Sequence, residues 1–100
     1  MNEDNFPRPK PDTFTIYSKS GCKNCTEAKR LLSSVSPKIY IVDCDEFLIE
    51  DRAGFLAFMM TLSGKECKTF PMIFHEGKYI GGYAETQEYQ KSKAFDEIEI

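Results

Sequence analysis

Two strand-like runs separated by one helical face constrain this chain more than any other feature. Phe14-Thr15-Ile16-Tyr17-Ser18 is β-branched and aromatic, the composition of a strand. Ala28, Leu31, Leu32 and Val35 follow at i, i+3, i+4 and i+7, the spacing of an amphipathic helix, and Pro37 ends it. Lys38-Ile39-Tyr40-Ile41-Val42-Asp43 is then nearly continuous in apolar character, as a buried parallel strand is. A strand–helix–strand order of this kind demands a parallel pair with a right-handed crossover.

The rest of the chain completes a single domain, which is all that 100 residues accommodate. Asp51 is placed to cap a second helix carrying Phe55, Leu56, Phe58, Met59, Met60 and Leu62, with Gly64 as its stop. Met72-Ile73-Phe74 and Lys78-Tyr79-Ile80 flank His75-Glu76-Gly77 as a short hairpin. A helix-compatible segment runs from Tyr83 to about Phe95. The order is βαβαββα, an α/β chain with a four-stranded mixed sheet and helices on both faces. Residues 1–12, with Pro7, Pro9 and Pro11, read as a flexible or extended leader, 13–96 as the domain, and 97–100 as an acidic tail.

With 41% hydrophobic residues the chain should fold. Its net charge of −3 argues against nucleic acid as a partner, since sequence-independent binding needs a basic face. No apolar run is long enough to span a membrane, and the first residues, MNEDNFPRPKPDTF, lack the apolar core of a secretory signal. The expected location is a reducing cytosol, where structural disulfides are rare and four cysteines favour redox or metal chemistry.

Two of those cysteines lie in Ser20-Gly21-Cys22-Lys23-Asn24-Cys25, between the first strand and the first helix. That position puts Cys22 at a helix N-terminus, where unpaired N–H groups and the helix dipole favour thiolate over thiol. Lys19 and Lys23 add positive charge nearby. Cys25 lies one turn further in. Cys22 is then the exposed nucleophile and Cys25 the thiol that resolves a mixed disulfide. A zinc site is the alternative, but Cys44, Cys67 and His75 supply no second pair at knuckle spacing. Cys44 reads as a small buried hydrophobe, Cys67 as a regulatory or adventitious thiol, and His75 as a plain surface residue.

Together, YSKSGCKNCTEAKRLL and KTFPMIFHEGKYIGGY resemble the active-site segment and the proline-loop, hairpin and Gly-Gly segment of glutaredoxins. The likeness runs from about Thr13 to Tyr89. It implies a thioredoxin fold, glutathione as reductant, no resident metal, and thiol–disulfide exchange as the activity. By position, Cys22 matches the nucleophile and Cys25 the resolving cysteine. Lys19 and Lys68 match basic residues that face the glutathione glycine carboxylate. Thr69-Phe70-Pro71 matches the family's cis-proline loop, in which backbone groups of the residue before proline pair with the glutathione cysteine. Gly81 and Gly82 allow close backbone approach, and the helix after them offers N–H groups to the γ-glutamyl carboxylate. Glu85 stands where the family has an acid for the α-amino group.

The chain departs from the pattern at Lys23 and Asn24, usually proline and an aromatic residue, and at Ala84, usually an acid. The implied substrates are disulfide-containing or glutathionylated proteins, with ribonucleotide reductase among the family's targets, and the protein is expected to act as a monomer. The departures keep two further readings open: a glutaredoxin-like protein reduced by thioredoxin reductase, and a non-catalytic module holding a metal or iron–sulfur cluster at the C-x-x-C.

Overall fold

A computed structural model describes residues 6–98, with side chains to 92. Its elements are β1 (Phe14–Ser18), α1 (Lys23–Val35), β2 (Ile39–Asp43), α2 (Asp45–Glu50), α3 (Arg52–Ser63), β3 (Met72–His75), β4 (Lys78–Gly81) and α4 (Tyr83–Ile98). The sheet order is β2-β1-β3-β4. β1 pairs parallel to β2 and antiparallel to β3, and β3 pairs antiparallel to β4. This is the expected four-stranded mixed sheet. Glu76 and Gly77 both take positive φ, 53° and 84°, which closes the β3–β4 hairpin with a two-residue turn of the primed kind.

Alternation along β1 divides the core into two layers. Phe14 and Ile16 point to one face and pack with Ala28 and Leu32 of α1 and Ile73 of β3, flanked by Tyr83 and Tyr89 of α4. Tyr17 points to the other face and packs with Val42, Phe55, Phe58 and Met59. β1 is buried at every position, so it is the central strand on which both layers are built.

Four features differ from the sequence expectations. First, β2 is an edge strand: it has one neighbour, and Ile41 on it is 43% exposed. Its apolar run reflects one covered face rather than burial on both. Second, the helical region begins at Asp45, not at Asp51. Asp51 does cap α3, accepting a bond from Gly54 N at 3.1 Å, but its extended φ of −155° also ends the separate six-residue helix α2. Third, α4 continues to Ile98, two residues into the stretch read as a tail, while 99–100 lie outside the described residues.

The fourth concerns the leader, of which residues 1–5 lie outside the described residues. Residues 6–12 form no helix or strand, yet they are tied down. Phe6 is buried among Phe47, Phe55 and Phe58, with ring centroids 5.2 to 5.4 Å away. Tyr17 Oη donates to Pro7 O at 2.7 Å, and Lys10 N donates to Thr15 Oγ1 at 2.9 Å. An aromatic side chain entering an apolar layer outweighs the polar, proline-rich composition around it.

Cys44 is the N-cap of α2 and is fully buried. Burial is the main cause that pushes its thiol up to about 12, with Asp43 adding to the effect. A pKa raised in the folded state keeps Cys44 protonated through neutral and mildly alkaline pH. In the native protein at pH 8 it should therefore resist iodoacetamide and react only after denaturation, as peptide mapping would reveal; native-state labelling at a denatured-state rate would contradict this. Phe6→Ala should destabilise the fold by about 3 kcal/mol in urea denaturation, as for other buried phenylalanines. A change below about 0.5 kcal/mol, the ordinary surface value, would mean that the segment is not anchored.

Candidate functional site

The reactive end of the molecule forms where the carboxyl end of β1 meets the start of α1. Gly21 turns the chain at a φ of +68°, a left-handed value that glycine takes without strain. Cys22 follows as the N-cap of α1 in extended conformation, and its Sγ accepts the backbone N–H of Cys25 at 3.1 Å. A cap of this kind normally uses a serine or aspartate oxygen. Here sulfur receives the bond and lies in the positive field of the helix start. Cys22 and Cys25 are joined as a disulfide with Cα atoms 5.2 Å apart. Cys22 is partly exposed and Cys25 is 1% exposed, so an incoming group reaches only the first sulfur.

A second loop faces this pair. The Phe70–Pro71 peptide is cis, and Phe70 O lies 3.6 Å from Cys22 Sγ. Phe70 stacks on Phe55 at 6.4 Å, and Lys19 Nζ sits 5.6 Å from the Phe70 ring centroid. Gly81 and Gly82 follow at the end of β4, next to Pro71. Gly81 has φ +138°, and a side chain there would meet Glu85 at 2.7 Å; one at Gly82 would come within 3.5 Å of Pro71 O. Glu85 Oε1 accepts the Gly82 N–H at 2.9 Å, which satisfies one unpaired donor at the start of α4.

Direct contacts thus link Cys22 to Cys25 and to Phe70, and Phe70 to Lys19, while Gly82 lies close to Pro71 and Glu85 closes back on Gly81 and Gly82. Thr69 is exposed on the loop before Phe70, and Lys68 Nζ pairs with Glu66 at 3.4 Å, a surface ion pair of little energetic weight. Cys67 is buried, its Sγ 3.2 Å from Ser63 Oγ, and Cys44 lies in the core; both are free thiols. Among the described residues no three His, Cys, Asp or Glu side chains converge as metal ligands do.

The expectation of a plain surface histidine is corrected. The β1–β3 register sets His75 opposite Phe14, so the rings stack at 4.1 Å, and Nδ1 lies 2.6 Å from Tyr89 Oη.

Sequence reasoning also missed Asp45. Its carboxylate receives Ser20 N at 2.9 Å and, through its other oxygen, the Ser20 Oγ hydroxyl. The Ser20 hydroxyl, then the Ser20 N–H, hold the Asp45 carboxyl below its ordinary range, with Lys19 and Lys29 contributing. The partners are 25 residues apart, and no local pattern announces the pair. Beside it a cleft of about 300 Å³ is lined by Ser18, Lys19, Ser20, Lys29, Ile41 and Asp43.

Known proteins share this fold. The glutaredoxin family model matches residues 14–80. Glutaredoxin-2, mitochondrial, of Rattus norvegicus is 32% identical over 76 residues, 76% of this chain and 46% of that protein. The chain spans about half the length of the curated relatives it matches. Among solved structures, the dithiolic glutaredoxin 2-C-Grx1 of Trypanosoma brucei brucei superposes with a TM-score of 0.69 at 23% identity, covering 87% of this chain and 86% of that one. The buckwheat glutaredoxin–glutathione complex gives 0.67 at 23%, covering 82% and 71%. A family match over most of the chain, a thioredoxin-like sheet, and a Cys22–Cys25 pair at the head of α1 make this chain a member of the glutaredoxin family.

Proposed function

We propose that the protein is a glutathione-dependent thiol–disulfide oxidoreductase acting on protein disulfides and protein–glutathione mixed disulfides. The observation that carries this reading is the asymmetry of the pair. Cys22 Sγ is reachable and caps a helix, whereas Cys25 is buried behind it. A thiolate is the attacking species in exchange, and the helix start favours it at Cys22.

In the proposed cycle the reduced Cys22 thiolate attacks one sulfur of the substrate disulfide. A new S–S bond forms, the old one breaks, and the departing sulfur takes up a proton. With a glutathionylated protein the glutathionyl group passes to Cys22, and a glutathione thiolate then removes it as glutathione disulfide. With a protein disulfide, Cys25 attacks the Cys22 sulfur and frees the substrate dithiol. Two glutathiones reduce the resulting Cys22–Cys25 disulfide and leave as glutathione disulfide.

In this reading the tripeptide binds along the residues around Cys22. Phe70 presents backbone groups beside Cys22, and Lys19 supplies a cation for a carboxylate. Lys68 and Thr69 extend this edge, Gly81 and Gly82 carry no side chain that would cover the backbone beside Pro71, and the start of α4 supplies N–H groups. The solved glutathione complex of the buckwheat relative supports this choice of reductant. A reducing compartment such as the cytosol belongs to the proposal, since the cycle needs a pool of reduced glutathione.

The test is a coupled assay with glutathione, glutathione reductase and a small glutathione mixed disulfide. Turnover is expected; none here, but turnover with thioredoxin reductase, would overturn glutathione as the reductant. In the same assay Cys22→Ser should lose at least ~100-fold, the scale of removing a nucleophile. Cys25→Ser should keep most of the rate, because release of a glutathionyl group needs one protein thiol. Equal loss in both variants would mean an obligatory dithiol route.

A further inference from the structure

The loop that delivers Cys22 has little packing of its own. Lys19, Ser20 and Gly21 are exposed, and nothing lies within 4 Å of the position a Gly21 side chain would take. Among the described residues its side-chain hydrogen bonds run to Asp45, which receives both the N–H and the hydroxyl of Ser20. Asp45 is itself held, since its own N–H donates to Asp43 Oδ1 at 3.0 Å and it stands in the first turn of α2. The neighbouring Cys44 N bonds Ser18 O at 2.8 Å, so α2 begins fixed against the end of β1.

From these contacts we infer that Asp45 is a positioning residue for the nucleophile: by clamping Ser20 it fixes the turn that sets Cys22 as the cap of α1 and carries Lys19 over Phe70. The inference rests on Cys22 being the attacking thiol. Without the clamp Gly21 is a hinge, and the cap bond to Cys25 N and the approach to Phe70 O are held from the helix side alone. An acid in the first turn of α2 has a simpler use, support of that helix through its dipole, and the two roles make different predictions.

Asp45→Ala, in the full reduced chain, should slow iodoacetamide alkylation of Cys22 at pH 7 by about fivefold, the weight of a lost hydrogen bond carried into a rate. Mass spectrometry of the Cys22 peptide reads this without glutathione. Asp45→Asn keeps an acceptor for Ser20 and should recover most of the loss. Ser20→Ala should give a smaller loss, and adding it to Asp45→Ala should cost nothing more. A lower melting temperature for Asp45→Ala with unchanged Cys22 alkylation would overturn the inference and leave only support of α2. Equal slowing in the Ala and Asn variants would also overturn it, by making charge the cause. Should Asp45→Ala fail to fold, Ser20→Ala and Asp45→Asn decide the question. Failure of the parent chain to turn over with glutathione would count against the glutathione reading alone, since alkylation does not depend on it.

Discussion

Cys22 Sγ accepts the Cys25 N–H at the first turn of α1, where most helices place an oxygen. That bond joins the chemistry to the fold. It requires a helix that starts at this point, and the helix starts there because β1 ends at Ser18 and Gly21 turns the chain. It also makes the two sulfurs unequal, because the first turn of the helix carries Cys25 into the protein. Exposure of one thiol and burial of its partner therefore follow from a single backbone geometry.

Three segments distant in sequence meet around that cap. The cis Phe70–Pro71 peptide brings a carbonyl to the sulfur, Gly81–Gly82 admits the start of α4 beside Pro71, and α2 clamps the loop ahead of Cys22. Each depends on the central strand: β3 pairs with β1 on one side, and β2 on the other feeds directly into α2. Glu85 uses one carboxylate oxygen to cap α4, which leaves its second oxygen as an acceptor.

Much of this was legible in the sequence because the signals are local. Apolar spacing places α1, the Gly-containing turn marks the hairpin, and Asp51 and Gly64 mark the ends of α3. Strand order was only partly legible: an apolar run reads the same for a buried strand and for an edge strand with one covered face, as at β2. α2 is six residues long, too short to show a period. Phe6, His75 and Asp45 were missed for a common reason. Each acquires its role from a neighbour in space, whether the aromatic layer of α2 and α3, Phe14 across the β1–β3 register, or Ser20 in the preceding loop. The two cysteines and the proline loop were legible because their spacing recurs in a known family, while the clamp that orients them leaves no such trace.

The account stands on Cys22 being the sulfur that attacks. The most direct measurement is a single-turnover reaction of the reduced protein with a glutathionylated peptide, quenched in acid and mapped by mass spectrometry. The predicted result is a glutathionyl group on Cys22, persisting when Cys25 is replaced by serine. A glutathionyl group found first on Cys25, Cys44 or Cys67 would contradict it.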